Sequence, residues 1–335
     1  MTFCTYEDRP RALPGVKLLL LSAGRAMPDE TFDVTCPNLA DALTPWLDAV
    51  GLKNVRVRRE REWAGEGWSS KPGKLLELLD EGHDQVFWID TDVIVTSDVR
   101  PLVRSVPTEA VVVGQEFRTS RPGWVRGHVA GWGLEFAREL PHAVNSGTMR
   151  YTQAHRPLLR RWKELLAAPE FQSVQKMPIA QRPAAMVGDQ DALTALLGSS
   201  EFGDVPVHFL KCGREVIQNS GANGYHVLER LANLGRGLPP LIHMLGREKP
   251  WDFSAVPSAR AKPRDYLELV AIELSPYVAF GRRFQAELGE PAPWLSVRTA
   301  AGKVCSWGGL GHPTLQGLPL ALVAQCLAKL RKPQV

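Results

Sequence analysis

The segment Phe87-Trp88-Ile89-Asp90-Thr91-Asp92-Val93-Ile94-Val95 sets two carboxylates into an otherwise apolar run. Such a run is the pattern of a strand buried on both faces, which belongs in a parallel sheet covered by helices. Charges there are costly unless they are paired or bind a metal. Residues i and i+2 point the same way while the chain stays extended, so a D-x-D at a strand end can offer two oxygens to one cation. Hard oxygen ligands suit Mn2+ or Mg2+. The competing reading is that both aspartates cap the strand end and bind backbone amides.

Outward from this segment, apolar strands alternate with helical patterns. On the N-terminal side, Val16 to Ser22 reads as a buried strand ending at Ala23-Gly24. Leu39 to Val50 is helix-like but interrupted by Pro45, and Val55 and Val57 mark a second strand. Pro72 opens a helix with Leu75, Leu76, Leu78 and Leu79 on its apolar side, closed by Gly82. On the C-terminal side, Val111 to Val113 reads as another buried strand. Leu158, Leu159, Trp162, Leu165 and Leu166 share one helix face, as do Ala192, Leu193, Leu196 and Leu197. This alternation predicts an α/β fold with a single Rossmann-like, mostly parallel sheet flanked by helices.

After Trp251 the texture changes. Tyr266 to Leu288 reads as helical with a break at Pro276, residues 302–317 as a glycine-rich loop, and Leu318 to Lys332 as a last helix. Leu320, Val323, Leu327 and Leu330 form one stripe on that helix. A boundary near residue 252 separates an expected domain over residues 1–252 from a mostly helical extension over residues 253–335.

With 335 residues, 44% apolar and 23% charged, the chain has the composition of a globular protein and not of a disordered one. The net charge of +4 is too small to argue for nucleic acid. Its placement is informative: no Asp or Glu follows Glu290, while Arg298, Lys303, Lys329, Arg331 and Lys332 do. A basic tail of this kind suits weak contact with an anionic membrane, or the same apolar stripe packs onto the catalytic domain. Cys4, Cys36, Cys212, Cys305 and Cys326 are odd in number and form no C-x-x-C, which fits reduced thiols. Leu18 to Leu21 is too short for a signal peptide, and no stretch is long enough to span a bilayer. The expected location is the cytoplasm, with peripheral contact at the inner face of the membrane.

Three further segments carry chemistry. In Leu241-Ile242-His243-Met244-Leu245-Gly246-Arg247-Glu248-Lys249-Pro250-Trp251, a histidine ends an apolar run, with a glycine three and a lysine six residues later. Imidazole ligates Mn2+, glycine admits a close phosphate, and lysine supplies a point charge. Structurally, such a histidine is a satisfied core residue. Asn145-Ser146-Gly147 reads as a turn, or as an amide that grips a sugar hydroxyl. Gly188-Asp189-Gln190-Asp191 reads as a helix N-cap, or as a hydroxyl-binding acid.

Together and in this order, Ile89-Asp90-Thr91-Asp92, Asn145-Ser146-Gly147, Asp189-Gln190-Asp191, and His243 with Gly246 and Lys249-Pro250-Trp251 resemble the family-8 glycosyltransferases of the GT-A fold. The resemblance spans roughly residues 15 to 252. It implies a GT-A fold and a nucleotide-sugar donor, UDP-linked in most of the family. It implies Mn2+ (or Mg2+) held by Asp90, Asp92 and His243 against the donor diphosphate, with Gly246 and Lys249 touching that diphosphate. Asp189, Asn145, Ser146 and Gly147 would lie at the sugar, and Gln190 near the anomeric carbon, opposite the leaving group. Retention of anomeric configuration is implied too. Because an amide is a poor nucleophile, the resemblance favours same-face attack assisted by the departing phosphate over a covalent intermediate.

Two departures stand out. The family's first strand usually ends with an acidic or polar residue that reads the uracil, whereas the strand read here ends Leu21-Ser22-Ala23-Gly24. The family often has an arginine before the helix leading into the D-x-D strand, and Lys71 takes its place unless Lys71 and Lys74 are solvated first-turn lysines. Rival readings are a nucleotidyltransferase, and a sugar-nucleotide-binding protein without turnover. The acceptor, whether a glycan, a lipid-linked or a small molecule, is left open.

Overall fold

The computed structural model describes residues 1–61, 67–117, 121–221, 223–246, 248–253, 256, 263–307, 309 and 312–330. Among these the strands are β1 (Thr2–Tyr6), β2 (Phe32–Thr35), β3 (Val55–Arg58), β4 (Gln85–Ile89), β5 (Val93–Val95), β6 (Val111–Gln115), β7 (Val144–Thr152), β8 (Val207–Leu210), β9 (Val216–Asn219) and β10 (Leu241–Met244). The helices begin with α1 (Leu13–Ala26), α2 (Ala40–Val50), α3 (Lys71–Asp80), α4 (Arg100–Arg104), α5 (Trp124–Gly131), α6 (Arg156–Ala167) and α7 (Pro169–Gln175). They continue with α8 (Asp189–Gly198), α9 (Val227–Ala232), α10 (Pro263–Glu273), α11 (Pro276–Gly281), α12 (Ala300–Trp307) and α13 (Leu318–Leu330).

The chain forms two compact units. One comprises Met1–Pro10, Asp29–Thr91 and Arg100–Leu210, the other Arg11–Pro28, Asp92–Val99 and Lys211–Val335. The first unit holds a seven-stranded sheet of order β3-β2-β1-β4-β7-β6-β8. β1, β2, β3 and β4 are mutually parallel, and β7 alone runs antiparallel to both its neighbours. β2 lies on one side of β1 and β4 on the other, so strand order reverses there. The crevice beyond the carboxyl ends of strands at such a switch point is where open α/β sheets bind ligands. Asp90 directly follows β4 at this place.

Buried apolar side chains from α3, α5, α6 and α8 pack on this sheet around Trp88, Met149, Tyr151 and Trp162. α2 runs through Pro45, burying Leu43, Trp46 and Leu47, so its apolar face outweighs the hydrogen bond that proline removes. Pro72 sits in the first turn of α3, as expected.

Val16 to Ser22 is not a strand. It is the middle of α1, where Val16, Leu18, Leu19, Leu20 and Leu21 are all buried. A helix buried all round carries the same continuous apolar run as a buried strand. The first strand is instead β1, and it leads into Glu7-Asp8. The residues beyond the first strand are therefore acidic, which removes the departure read at Leu21 to Gly24.

The second unit has a three-stranded sheet of order β5-β10-β9, with β10 antiparallel to β5 and parallel to β9. α1 packs on β5, and a Cβ on Gly281 would meet Leu295, Leu18 and Ile94 within 4 Å. The region after residue 262 is helical, as expected. However, α12 occupies part of the stretch read as a loop over 302–317. On α13, among the described side chains, Ala321 is buried while Val323 of the expected stripe is 54% exposed, and the side chains of Leu327, Lys329 and Leu330 lie outside those described. Arg331 and Lys332 lie outside the described residues. Among the described residues no helix is long and apolar enough to cross a membrane, and no cysteine is in a disulfide.

Candidate active site

β10 explains how a histidine far along the chain reaches the D-x-D. β5 follows Asp92 directly and pairs antiparallel with β10, setting His243 opposite Val93. The Met244 N–H then donates to the Asp92 carbonyl oxygen at 2.9 Å. On the other side His243 is in register with Gln218 of β9, and its Nδ1 lies 2.9 Å from Gln218 Oε1. An amide oxygen only accepts, so Nδ1 carries a proton toward Gln218.

Nε2 faces Asp92 Oδ1 at 3.2 Å. That oxygen is buried and accepts no aligned hydrogen bond among the described residues. A buried carboxylate oxygen without an aligned donor is a position that a cation can fill. The other oxygen, Oδ2, accepts from Lys249 Nζ at 2.5 Å, and Lys249 Nζ also donates to the Met244 carbonyl at 2.6 Å. Burial alone would raise the Asp92 pKa, but the Lys249 ammonium, together with His243, holds the carboxyl well below its usual range. Asp90, Asp92 and His243 each offer a ligand atom within 4.8 Å of the others. Two oxygens and one imidazole nitrogen fit a divalent ion such as Mn2+ or Mg2+.

The first unit brings together Lys71, Asp90, Ser146 and Asp189. Lys71 and Lys74 are both buried, which excludes their reading as solvated lysines. Lys71 Nζ lies 3.0 Å from Asp90 Oδ1 and 3.3 Å from Asp189 Oδ2, and donates to the carbonyl and Oγ of Ser146, both at 3.0 Å. Burial pulls the Lys71 pKa down, but Asp189 and Asp90 more than offset it, so the ammonium is retained. Burial, opposed by Lys71 and Ser146, leaves the Asp189 carboxyl above its ordinary value. Trp88 Nε1 donates to Asp90 Oδ1 at 2.6 Å, and the Asp90 N–H to the Gly147 carbonyl at 2.8 Å.

Asn145-Ser146-Gly147 is not a turn. All three lie within β7, where the register against β6 slips between Val113 and Gly114. A bulge re-aims side chains, and here Ser146 Oγ donates to Asp189 Oδ2 at 2.7 Å. Asn145 is held internally: its Oδ1 accepts from the Gly147 N–H and its Nδ2 donates to Glu116.

Asp189 does not cap α8. Gly188 is the N-cap, and Asp191 Oδ2 accepts from the Gly188 N–H at 2.8 Å. The Asp189 side chain is thus free of the helix end and committed to Lys71 and Ser146. Gln190 is half-buried beside it. Gly246 has φ 104, a backbone region that disfavours side chains, and is exposed with open space where a Cβ would stand. Near the switch point, Glu7 accepts from Arg9 and from Thr91 Oγ1, and Asp8 from the Tyr6 hydroxyl.

Sequence reading missed Gln218, Glu116, Trp88 and Asp191's partner His128. The one usable signal was Val216-Ile217-Gln218-Asn219, a strand whose apolar run stops at polar residues as the one ending in His243 does. A cavity of about 1070 Å³ lined in part by Arg56, Arg58, Arg61, Arg160 and Lys163 contains none of the candidate residues.

The fold is similar to that of several solved glycosyltransferases. Galactosyltransferase LgtC, in complex with donor and acceptor sugar analogs, is 16% identical over 80% of this chain and 95% of its own, with a TM-score of 0.49. Mouse xyloside xylosyltransferase 1 is 12% identical over 72% of this chain and 96% of its own, with a TM-score of 0.44. The glycosyltransferase GlyE of Streptococcus pneumoniae is 13% identical over 87% of this chain and 66% of its own, with a TM-score of 0.43. No family model matches the chain, and no curated protein matches its sequence.

Proposed function

We propose that this protein is a divalent-metal-dependent glycosyltransferase that moves a sugar from a nucleoside diphosphate donor, UDP-linked, to an acceptor with retention. The observation that carries the reading is the facing of His243 Nε2 and the orphaned Asp92 Oδ1, with Asp90 beside them at the switch point of the sheet. A divalent ion held by these three residues would neutralise the charge that develops on a diphosphate leaving group.

The chain's own residues take the remaining roles. Gly246 and Lys249 bind the diphosphate. Asp189, buried and paired with Lys71 and Ser146, binds sugar hydroxyls, with Asn145, Ser146 and Gly147 shaping the same wall. Gln190 stands at the anomeric carbon, where its amide orients and does not attack. Asp8 is the base reader, at the end of β1. Residues 1–252 carry the catalysis. The extension over 253–335, where Val304, Trp307, Leu322 and Val323 are exposed and Lys303 is exposed too, makes weak contact with an anionic membrane in the cytoplasm. Vesicle sedimentation with and without residues 316–335 checks that contact, and equal binding of both forms would refute it.

The deciding experiment is a panel of nucleotide sugars with Mn2+, scored for released nucleoside diphosphate. Release from one donor, abolished by chelator and restored by Mn2+, is expected. Release of pyrophosphate would instead identify a nucleotidyltransferase, and turnover that survives chelation would refute metal dependence.

A further inference from the structure

The first turn of α8 presents Asp189 and Gln190, and a buried histidine stands behind it. His128 on α5 is 2% exposed. α5 packs against α8 and against the short turn Ala184–Met186. His128 Nδ1 lies 2.8 Å from the Trp124 carbonyl oxygen, and Nε2 lies 3.2 Å from Asp191 Oδ1. Both neighbours are acceptors. A neutral imidazole has one N–H and can satisfy only one of them, whereas the imidazolium satisfies both.

The other carboxylate oxygen of Asp191 holds the Gly188 N–H at 2.8 Å. Gly188 is the extended residue immediately before Asp189. Downstream, the Asp189 carbonyl is anchored by Trp162 Nε1 at 3.0 Å. On its upstream side the turn is tied through Asp191, and Asp191 is backed by His128.

The surroundings of the ring are simple. From α8 the charged group that faces it is Asp191. The Ala184–Met186 turn presents the Ala184 carbonyl and no charged side chain. On α5 itself the Trp124 ring lies tilted against the imidazole, centroids 4.7 Å apart, and Glu139 accepts from the N–H groups of Val125 and Arg126 at the helix start. Burial pulls the imidazole pKa down, but Asp191 and the Trp124 carbonyl more than offset it and the value ends above its ordinary one.

We propose that His128 is a positioning residue of this active site: as an imidazolium it clamps Asp191, and through Asp191 and Gly188 it sets the first turn of α8 that presents Asp189 and Gln190. The inference rests on the reading of those two residues as sugar-contacting. The clamp is intact below the ordinary imidazole pKa and is released as pH rises through the raised value in the folded protein.

Three measurements on the full chain test it. The ring nitrogens of 15N-histidine-labelled protein report the protonation of His128. Hydrogen exchange, corrected for its intrinsic pH dependence, reports the order of the amides over 188–191. Mn2+-dependent hydrolysis of UDP-glucose and UDP-galactose reports turnover. In the wild type, exchange over 188–191 should quicken and kcat should fall as the ring loses its proton. His128→Gln should exchange fast at every pH and lose that dependence. Its kcat should drop by about a hundredfold, the scale of a small misplacement at a reacting centre, with KM little changed.

A neutral His128 at pH 6, or equal exchange in His128→Gln and wild type, overturns the clamp. Full turnover in His128→Gln despite fast exchange overturns the positioning role. If His128→Gln does not fold, the wild-type titration decides alone. If the wild type hydrolyses no donor of the nucleotide-sugar panel, the glycosyl-transfer reading fails, while the clamp is judged on exchange.

Discussion

His243 Nδ1 and Gln218 Oε1 face each other at 2.9 Å across neighbouring strands, and that contact holds the ring with Nε2 toward Asp92. Partners of this kind fix tautomer and ring orientation, and their loss typically costs about 10–100-fold in metal affinity. Gln218→Leu removes the acceptor while leaving the β9–β10 pairing intact. Mn2+ binding followed by electron paramagnetic resonance should weaken by about tenfold or more, with thermal stability close to wild type. Affinity unchanged in Gln218→Leu would mean that His243 is not a ligand.

Asp189 and Asp191 should separate cleanly, because one faces the cluster at Lys71 and the other holds the helix end. Asp191→Asn weakens the cap on Gly188 and leaves His128 without its charge partner, so chemical denaturation should show a loss of about 1 kcal/mol or more. Asp189→Asn leaves that cap untouched, and Asn can still accept from Ser146. Its unfolding midpoint should move little while kcat falls by about a hundredfold, the scale of one lost transition-state contact. An Asp189→Asn enzyme with full turnover would return Asp189 to a structural role.

How much of this was legible in the sequence follows from how local each feature is. Asp90, Asp92 and His243 stood out because each interrupts an apolar run, and β-pairing then carries them together. Lys71 was legible only as the replacement for an expected arginine; its burial was not, because it depends on Asp189 and Ser146 far along the chain. Leu18 to Leu21 misled because an apolar run without polar relief has no period to read. β1 escaped notice because Thr2 and Thr5 dilute its apolar signal, although it is central in the sheet. Asn145-Ser146-Gly147 has turn chemistry in a strand, and the bulge opposite Gly114 reconciles the two. Nothing local to His128 announces Asp191, which is 63 positions away.

Stereochemistry offers a separate check on the proposed function. In the first unit the carboxylate at the candidate sugar site, Asp189, is tied to Lys71 and Ser146, and the adjacent Gln190 is an amide. Neither is arranged as a free general base on the face opposite the leaving group, which an inverting reaction requires. The first-formed product should keep the donor's anomeric configuration, read by proton NMR before mutarotation. An inverted product would sink the assignment of Asp189 and Gln190 and direct the search to another carboxylate.

The pH dependence of folding gives the last prediction, through His155. Its Nδ1 accepts from the Thr152 N–H at 3.0 Å, so the proton of the neutral ring is on Nε2, which donates to the Glu109 carbonyl at 3.0 Å. The ring is buried, and protonating Nδ1 would break the bond from Thr152. Burial, aided by the nearby Arg150 charge and opposed by the Glu109 carbonyl, holds its pKa below the ordinary 6.5. A depressed histidine stabilises the fold in its neutral form. That contribution is fully present above pH 6.5. It declines below this point, because the unfolded chain takes up the proton first, and it is lost once pH has fallen through the folded value. The sign is opposite to that of His128, so the two titrations tilt stability in opposite directions. His155→Gln removes the titrating group and retains an acceptor and a donor of similar reach. Urea unfolding from pH 5 to 8 should show wild-type stability falling, relative to His155→Gln, only on the acid side of this window. A difference that is flat across the range, or that grows toward alkaline pH, would show that His155 is not held neutral by the fold.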